Sequence, residues 1–309
     1  MKDNLLISEQ LKSKKIFITG ASGWLGRHLL DFLLERDCNV VCLSRNPDAF
    51  LNENPQYKCF SWRQGAILDY SFPEENADYL IHMATPPHQA GEEQQIIAEA
   101  CRIIDYAVRD NVKRLLFTSS GAVYGSQNPS EAVMPETRKC CPATAYGRGK
   151  LAAENLFLSC PVPTVIARCF AFIGQYLPLN DNSMALCCFM RNALNGVPLV
   201  VRDGSPIRTY LDCDELAYWL TVLLLRGENN GIYNVGGDQP ISIIELAEII
   251  SQLATPNAGI ICEREILPVA AAPRYVPDIS KAKSLGLVPE FNPSESIHKV
   301  RDYYSNRNY

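Results

Sequence analysis

Three glycines near the start of the chain constrain the fold more than any other feature. Gly20, Gly23 and Gly26 follow the apolar run 16–18 and precede a segment whose apolar residues have helical spacing. A tight turn without side chains lets a pyrophosphate approach backbone N–H groups, and the third glycine lets the following helix pack closely on the strand. The pattern therefore predicts a strand, a phosphate-binding loop and a helix that together bind a dinucleotide.

A second informative pattern lies far downstream. Tyr146 and Lys150 are four residues apart, so a helix would place them on one face, where the ammonium can stabilise a phenolate. A Tyr and a Lys at this spacing are usually surface residues. The glycine loop upstream favours the functional interpretation, an enzyme that moves a hydride and a proton.

The composition is that of an ordinary globular protein. Of the 309 residues 47% are hydrophobic, and the net charge of -5 gives no electrostatic reason to expect a nucleic-acid partner. The N-terminal residues contain no apolar signal core, and the nearly apolar run 216–225 is about half as long as a membrane span. We expect that run to be a buried helix, and we expect no membrane segment.

The twelve cysteines fit neither a disulfide framework nor a metal site. The sequence has no Cys-x-x-Cys motif, and the pairs at 140–141 and 187–188 are adjacent, so their side chains would diverge in regular structure. Most of the others stand among apolar residues, where a free thiol behaves as a small hydrophobic group. We therefore expect no metal and a reducing, cytoplasmic compartment.

Strand-like and helical segments alternate through the first half of the chain, which predicts an α/β fold with a doubly wound parallel sheet of the Rossmann type. The alternation ends after Gly174. We expect a dinucleotide-binding domain over 1–174 and a smaller C-terminal substrate-binding lobe mainly over 175–309, with parts of 208–236 returning to the first domain. The predicted strands are 15–19, 40–43, 79–83, 114–119, 164–167 and 231–235, and the predicted helices are 24–34, 93–109, 146–158 and 243–253, the last capped by Ser242.

These motifs resemble the extended short-chain dehydrogenase/reductase family, the NAD(P)-dependent nucleotide-sugar epimerases and dehydratases. The resemblance covers nearly the whole chain. It is carried by Gly20-Ala-Ser-Gly23-Trp-Leu-Gly26, His82-Met-Ala84, Phe117-Thr-Ser-Ser120-Gly-Ala-Val-Tyr124-Gly, Pro135-Glu136, Tyr146-x-x-x-Lys150, Arg168-Cys-Phe and Arg208-Thr-Tyr-Leu-Asp-Cys-Asp214.

The resemblance implies a role for each matching residue. Tyr146 would be the acid or base at a sugar hydroxyl, Lys150 would hold the nicotinamide ribose and lower the pKa of the phenol, and Ser120 would hydrogen-bond the same hydroxyl. The cofactor-binding residues would be Gly20, Ser22, Gly23, Trp24, Leu25, Gly26, Ala84, Tyr146 and Lys150. The substrate-binding residues would be Ser120, Tyr146, Arg208 and Arg274, with the two arginines clamping a nucleotide diphosphate. Roles that are structural rather than catalytic are expected for His82, His88 and Asp214.

Two departures from the family pattern bear on the reaction. Gly121 and Ala122 follow Ser120, where 4,6-dehydratases usually have acidic residues, so we favour an epimerase or a keto-sugar reductase. Ala171 stands where many members have an Asn that helps to hold the diphosphate. A 4,6-dehydratase with a non-standard acid and a non-catalytic cofactor-binding regulator remain the alternatives.

The end of the second strand bears on the cofactor. An acidic residue there would bind the adenosine ribose of NAD, whereas an Arg accommodates the phosphate of NADP. The segment 42–46 has Arg45 and no carboxylate, which favours NADP, with NAD as the alternative. Family members commonly pair through two helices, here 93–109 and 146–158, so we expect a homodimer.

Overall fold

The computed structural model describes residues 2–253 and 257–306. Helices α1 to α10 cover Lys2–Leu11, Trp24–Leu34, Pro47–Glu53, Glu92–Arg109, Ala145–Ser159, Ala185–Leu194, Cys213–Arg226, Ile243–Ser251, Ser280–Lys283 and Pro293–Ser305. Strands β1 to β14 cover Lys15–Thr19, Asn39–Ser44, Ser61–Gln64, Tyr79–His82, Arg114–Ser120, Thr164–Cys169, Phe172–Ile173, Leu199–Val201, Ile207–Arg208, Leu211–Asp212, Gly231–Val235, Ile241–Ser242, Ile260–Cys262 and Arg274–Tyr275. Two short 3₁₀ turns cover Pro55–Cys59 and Gly121–Tyr124.

Seven strands form one sheet in the order β3-β2-β1-β4-β5-β6-β11. The neighbouring pairs from β3 to β6 are parallel, because helices and loops return the chain to the same end of the sheet after each strand. The strand order reverses between β1 and β4, and ligands of such sheets bind at the carboxyl ends of the strands at this switch point. The predicted doubly wound, Rossmann-type fold is confirmed.

Helices α4 and α5 pack together on one face of this sheet. The buried residues of α4 recur every three or four positions, including Ile96, Ala100 and Ile103, which is the spacing of a helix face turned to a core. Aromatic rings join the two layers, since Phe117 of β5 lies 4.7 Å from Phe157 of α5 between ring centroids. This packing determines where α5 begins relative to the end of β5. The start of α5 and the end of β5 both carry predicted site residues.

The described residues divide into two compact units. Unit 1 contains 1–125, 139–169 and 217–233, and unit 2 contains 126–138, 170–216 and 234–309. The segments 126–138 and 170–174 therefore lie in unit 2, although the sequence analysis placed them in the first domain. Distant pairing explains the assignment of the first segment: Gln127 bridges to Arg274, and Met134 accepts a hydrogen bond from Asn234 Nδ2 at 2.8 Å. Unit 2 has three small sheets, β7-β10, β9-β12-β14 and β8-β13.

The helix ends follow local rules that the sequence analysis used only in part. Ser242 caps α8 in a reciprocal capping box with Glu245, as predicted. Helix α10 has the same signal in Asn292, Pro293 and Glu295, which the sequence analysis overlooked. None of the helices within 2–253 and 257–306 is long and apolar enough to cross a membrane. The cytoplasmic location stays a prediction.

Candidate active site

The loop between β1 and α2 has the shape of a phosphate cradle. Gly20 has a φ of +81°, and a Cβ there would lie 2.6 Å from the backbone nitrogen of Ala84. A Cβ at Gly26 would collide with the carbonyl oxygen of Gly20. Gly23 is the N-cap of α2, so no capping side chain covers the first N–H groups of that helix. The predicted glycine loop thus fits the diphosphate of a dinucleotide.

The end of β2 lies beside this loop. Ser22 Oγ is 3.2 Å from Ser44 Oγ, and the exposed Arg45 follows directly. Burial raises the pKa of Glu99 in α4, and the positive charges of Lys150 and Arg45 oppose that rise. Arg45 therefore stands at the edge of the cradle, where the adenosine ribose of a dinucleotide binds in this class of fold.

Tyr146 and Ser120, which the sequence placed in one site, are brought together. Tyr146 lies in the first turn of α5, where Thr144 Oγ1 accepts a hydrogen bond from Gly147 N at 3.0 Å. Ser120 ends β5 and hydrogen-bonds the phenol of Tyr146. The contact needs the glycine at 147, because a Cβ there would lie 2.8 Å from the carbonyl oxygen of Ala122. Sequence reasoning missed Gly147, although it stands inside the motif.

Lys150 is buried one helical turn beyond Tyr146. Its Nζ donates a hydrogen bond to the carbonyl oxygen of Thr118 at 3.0 Å and lies 4.7 Å from the ring centroid of Phe117. The same nitrogen is 5.7 Å from the ring centroid of Tyr146. Burial lowers the pKa of Lys150 to about 8.

The pKa of the Tyr146 phenol differs from the sequence-based expectation that Lys150 would lower it. Burial raises the pKa of Tyr146 to about 12, and the hydrogen bond from Ser120 offsets only part of the rise. The ammonium of Lys150 donates to a backbone carbonyl rather than to the phenol oxygen, and burial disfavours the phenolate. The protein side chains by themselves therefore keep Tyr146 protonated at neutral pH.

Lys150→Met is expected to leave the free energy of unfolding unchanged or to raise it by as much as about 3 kcal/mol at neutral pH. The pKa of Lys150 falls to about 8 in the folded protein, so the cost of burying the ammonium is fully present below that pH. As the pH rises from there towards the ordinary lysine value, the native state releases its proton first. Wild-type stability then rises, and the difference from the variant shrinks. Urea unfolding at neutral and alkaline pH measures both effects, and a variant clearly less stable than wild type at neutral pH would contradict them.

The two histidines near the site differ in their surroundings. His82 Nδ1 is 2.7 Å from Thr19 Oγ1, and complete burial lowers the pKa of this imidazole to about 3. It is a neutral link between the ends of β4 and β1. His88 instead lies edge-on to Tyr146, with ring centroids 5.4 Å apart, and its Nδ1 is 2.7 Å from Glu92 Oε1. No local pattern of residues predicted that His88 would contact Tyr146.

A buried ion pair lies beneath the site, and the sequence analysis did not anticipate it. Arg168 of β6 bonds Glu154 of α5 through both carboxylate oxygens, with Nη2 at 2.7 Å from Oε2 and Nε at 3.0 Å from Oε1. Ser119 donates a hydrogen bond to the same carboxylate, and Arg168 lies 4.7 Å from the ring centroid of Tyr124. Ser119 precedes Ser120, and Glu154 is one turn beyond Lys150. The Ser119–Glu154 hydrogen bond therefore joins the two elements that carry the site, and Arg168 anchors Glu154 to the neighbouring strand β6. The usable signal was Glu154, four residues after Lys150 on the same helix face.

The two predicted substrate arginines lie on neighbouring strands of unit 2. Arg208 of β9 pairs with Tyr275 of β14, and its guanidinium is 5.4 Å from the ring centroid of that tyrosine. Arg274 pairs with Ile207 instead, and its Nη2 is 3.5 Å from the carbonyl oxygen of Ala132. Paired residues share a sheet face and successive residues alternate, so the arginines lie on opposite faces of the ladder. This register therefore does not place the two arginine side chains on one face, as a clamp formed by both would require.

A phosphate cradle at the switch point of a doubly wound sheet, with Ser120 at the end of β5 and Tyr146 and Lys150 in helix α5, is typical of enzymes that use a nicotinamide dinucleotide. Comparison with protein families gives the particular group. The model of the NAD dependent epimerase/dehydratase family matches residues 16–236, and the chain belongs to this family. The resemblance to extended short-chain dehydrogenase/reductases is thereby confirmed, as is the assignment as an enzyme.

Two curated relatives illustrate the similarity. The chain is 27% identical over 328 residues to the trifunctional UDP-glucose 4,6-dehydratase/UDP-4-keto-6-deoxy-D-glucose 3,5-epimerase/UDP-4-keto-L-rhamnose-reductase of Arabidopsis thaliana, covering 95% of this chain and 48% of that protein. The chain thus spans about half the length of this relative. It is 25% identical to the low-salt glycan biosynthesis protein Agl12 of Haloferax volcanii, covering 94% of this chain and 98% of that protein.

Solved structures share the fold. UDP-glucose 4-epimerase of Thermotoga maritima, solved with UDP-glucose, superposes with a TM-score of 0.83 at 19% identity, covering 96% of this chain and 100% of that one. UDP-glucuronic acid 4-epimerase of Bacillus cereus, solved with UDP-glucuronic acid and NAD, gives a TM-score of 0.81 at 21% identity, covering 95% of this chain and 99% of that one.

Proposed function

We propose that the protein is an NAD(P)-dependent nucleotide-sugar oxidoreductase, an epimerase or a keto-sugar reductase. The observation that carries the proposal is the hydrogen bond between Ser120 and Tyr146. It lies at the carboxyl end of the same sheet whose strand β1 leads into the glycine loop. When bound there, a nicotinamide dinucleotide accepts a hydride from the sugar or delivers one to it. Gly121 and Ala122 cannot carry a proton, which disfavours elimination of water by the usual route.

The chain's own residues handle the proton and the oxygen atom. The Tyr146 phenol gives its proton to a sugar carbonyl oxygen in the reducing direction and takes it back from the hydroxyl in the oxidising direction. Ser120 hydrogen-bonds the same oxygen and orients it. Lys150 would hold the nicotinamide ribose. The backbone of the cradle from Gly20 to Gly26, with Ser22, Trp24 and Leu25, would hold the diphosphate, with Ala84 beside it.

The substrate class is a sugar joined to a nucleoside diphosphate. Three of the proteins named above, the trifunctional plant enzyme and the two 4-epimerases, have names that specify UDP-sugars, which supports this choice. Arg208 is our first candidate for the diphosphate, because a guanidinium offers forked donors and Tyr275 supports its plane. Arg274 is a second, separate candidate on the other face of the ladder. Ala171 supplies no side-chain amide, so another group must make that hydrogen bond.

Turnover of a panel of sugar nucleotides tests the proposal. Purified protein is incubated with UDP-glucose or UDP-glucuronic acid and oxidised NAD or NADP, and separately with UDP-4-keto-6-deoxy-D-glucose and NADH or NADPH, the reduced forms that supply the hydride for a reductase. The products are separated and their masses are measured by mass spectrometry. An epimer of unchanged mass or a reduced keto sugar is the expected product. Loss of water from the sugar would identify the dehydratase alternative, and cofactor binding without any turnover would identify the regulator.

Arg45→Ala is expected to weaken NADP binding about ten- to a hundred-fold and to leave NAD binding nearly unchanged. We propose that the exposed guanidinium at the end of β2 pairs with the adenosine phosphate of NADP. A charge-assisted hydrogen bond of this kind contributes about 1.5–3 kcal/mol. Calorimetric titration of both cofactors into wild type and variant measures the effect, with Arg202→Ala, an exposed arginine of unit 2, as the matched control. If wild type binds NAD more tightly than NADP, or if the substitution weakens the binding of both cofactors equally, Arg45 does not recognise the adenosine phosphate.

A homodimer of about twice 34.4 kDa is expected by light scattering at micromolar concentration. We propose that the outer faces of α4 and α5 form the interface. In α4, Ile97, Cys101, Ile104 and Val108 recur at helical spacing without being buried, and 43% of Val108 is exposed. Ile104→Glu should then give monomers, because a second copy would bury the introduced charge.

The control for the dimer is Val269→Glu, since that valine is 71% exposed in unit 2. It should leave the mass unchanged. A single 34.4 kDa species from the wild-type protein would rule out the dimer.

A further inference from the structure

One ionisable side chain beside Tyr146 has no role in the proposed function. His88 belongs to the segment 83–91 between β4 and α4, and its imidazole stands edge-on to the Tyr146 ring at 5.4 Å between centroids and 83° between planes. The segment begins beside the phosphate cradle, because Gly20 closely approaches Ala84. His88 is therefore at the end of the sheet where the cofactor and the reacting sugar are proposed to bind.

Glu92 holds this imidazole in place. His88 Nδ1 is 2.7 Å from Glu92 Oε1, and the carboxylate side chain is 7% exposed whereas the imidazole is 70% exposed. An ionised carboxylate only accepts hydrogen bonds, so we assign the proton to Nδ1. Nε2 of the neutral ring then carries a lone pair and can take a proton from another molecule, while Glu92 stabilises the imidazolium that forms.

The other ionisable groups around Tyr146 cannot serve a substrate in this way. Cys169 and Glu92, two other ionisable residues close to the phenol, are both buried. Lys150 is buried and bonded to a backbone carbonyl. Among these groups His88 is the exposed one.

We propose that His88, held by Glu92, is a second acid–base residue that removes and returns a proton of the sugar carbon next to the reacting carbonyl. The proposal rests on the proposed function, which supplies a keto sugar. In the step, the C–H bond breaks and its electron pair forms the C=C bond of an enolate, while the proton moves to Nε2 of His88. Tyr146 and Ser120 hydrogen-bond the enolate oxygen. Return of a proton to that carbon restores the ketone, with inversion if it arrives on the opposite face.

This assignment narrows the substrate class to keto nucleotide sugars whose neighbouring carbon bears an exchangeable hydrogen. It also supplies the proton carrier that Gly121 and Ala122 lack. No oxidant or reductant is consumed in the step, because the proton and the electron pair are both returned.

Deuterium uptake from D₂O by UDP-4-keto-6-deoxy-D-glucose tests the proposal, since this probe already contains the ketone. We expect wild-type enzyme with bound cofactor to place deuterium on a carbon next to the carbonyl, as read by mass spectrometry and proton NMR. H88Q should exchange about 100- to 10,000-fold more slowly. H88A should regain exchange in proportion to added imidazole, which a merely structural role would not allow. E92Q should give a smaller loss than H88Q, because the imidazole that takes the proton is still present and loses only the carboxylate that orients it and stabilises its charged form.

The matched control is H298Q, which replaces an exposed histidine of α10 and should exchange at the wild-type rate. Exchange at the wild-type rate in H88Q, or no exchange by wild type above the enzyme-free rate, overturns the proposal. Failure of the proposed function is detected separately, as absence of any change in nicotinamide absorbance or product with the sugar panel. Loss of exchange in H88Q with folded, cofactor-binding protein supports the role of His88 alone.

Discussion

Tyr146→Phe is expected to lower turnover of the sugar nucleotide by about 100- to 10,000-fold and to leave cofactor affinity nearly unchanged. The substitution removes the hydroxyl that Ser120 hydrogen-bonds but keeps the aromatic ring beside His88. The packing of the site therefore survives while its proton donor is lost. Steady-state rates with the accepted sugar nucleotide and calorimetric cofactor titration measure the two quantities.

The matched control for this substitution is Tyr70→Phe. Tyr70 packs at the edge of the core of unit 1, where its ring is 5.0 Å from Phe72 between centroids. Turnover by this variant should stay close to that of wild type. If Tyr146→Phe also keeps near wild-type turnover on the accepted substrate, the chemistry assigned to Tyr146 is wrong.

Glu154→Leu is expected to lower the free energy of unfolding by about 3–5 kcal/mol. The partner guanidinium of Arg168 is 4% exposed, so it would remain buried without its carboxylate. The hydroxyl of Ser119 would lose the same acceptor. Urea unfolding followed by circular dichroism measures the loss. Turnover should fall as well, because Glu154 joins α5 to the end of β5 through Ser119 and to β6 through Arg168.

Two further variants separate charge burial from ordinary packing. Glu154→Leu combined with Arg168→Met should recover much of the lost stability, since no buried charge is then unpaired. Lys283→Met removes one member of the exposed Lys283–Asp238 pair and should cost no more than about 1 kcal/mol. A Glu154→Leu protein as stable as Lys283→Met would show that the buried pair is not a strong constraint on the fold.

How much of the site could be read from the sequence differs from residue to residue. Gly20, Gly23 and Gly26 were recognisable because their requirement is local: the turn must avoid side chains within seven residues of chain. Tyr146 and Lys150 were recognisable because helical spacing alone places them on one face. Their roles as catalytic and cofactor-binding residues stay predictions, as do those of Ser120, Arg45, Arg208 and Arg274.

Other features depend on residues far apart in the chain. The register between β9 and β14 puts Arg208 and Arg274 on opposite faces, and no local pattern reveals that register. Burial raises the pKa of Tyr146 to about 12, which is opposite to the direction expected from the nearby lysine. The sequence analysis could not predict this direction, because it did not show how deeply α5 packs against the end of β5. The loop after β4 likewise brings His88 to Tyr146 across more than fifty positions of sequence.

The sequence by itself thus determined the alternating α/β order, the phosphate loop, the helix that pairs Tyr146 with Lys150 and the cap at Ser242, because each depends on spacing within one or two turns of chain. Only the tertiary structure decided the partners of Glu154, the neighbours of Tyr146, and the assignment of 126–138 to unit 2. Those features depend on which surfaces are buried together, and burial is a property of the packed chain rather than of any local run of residues.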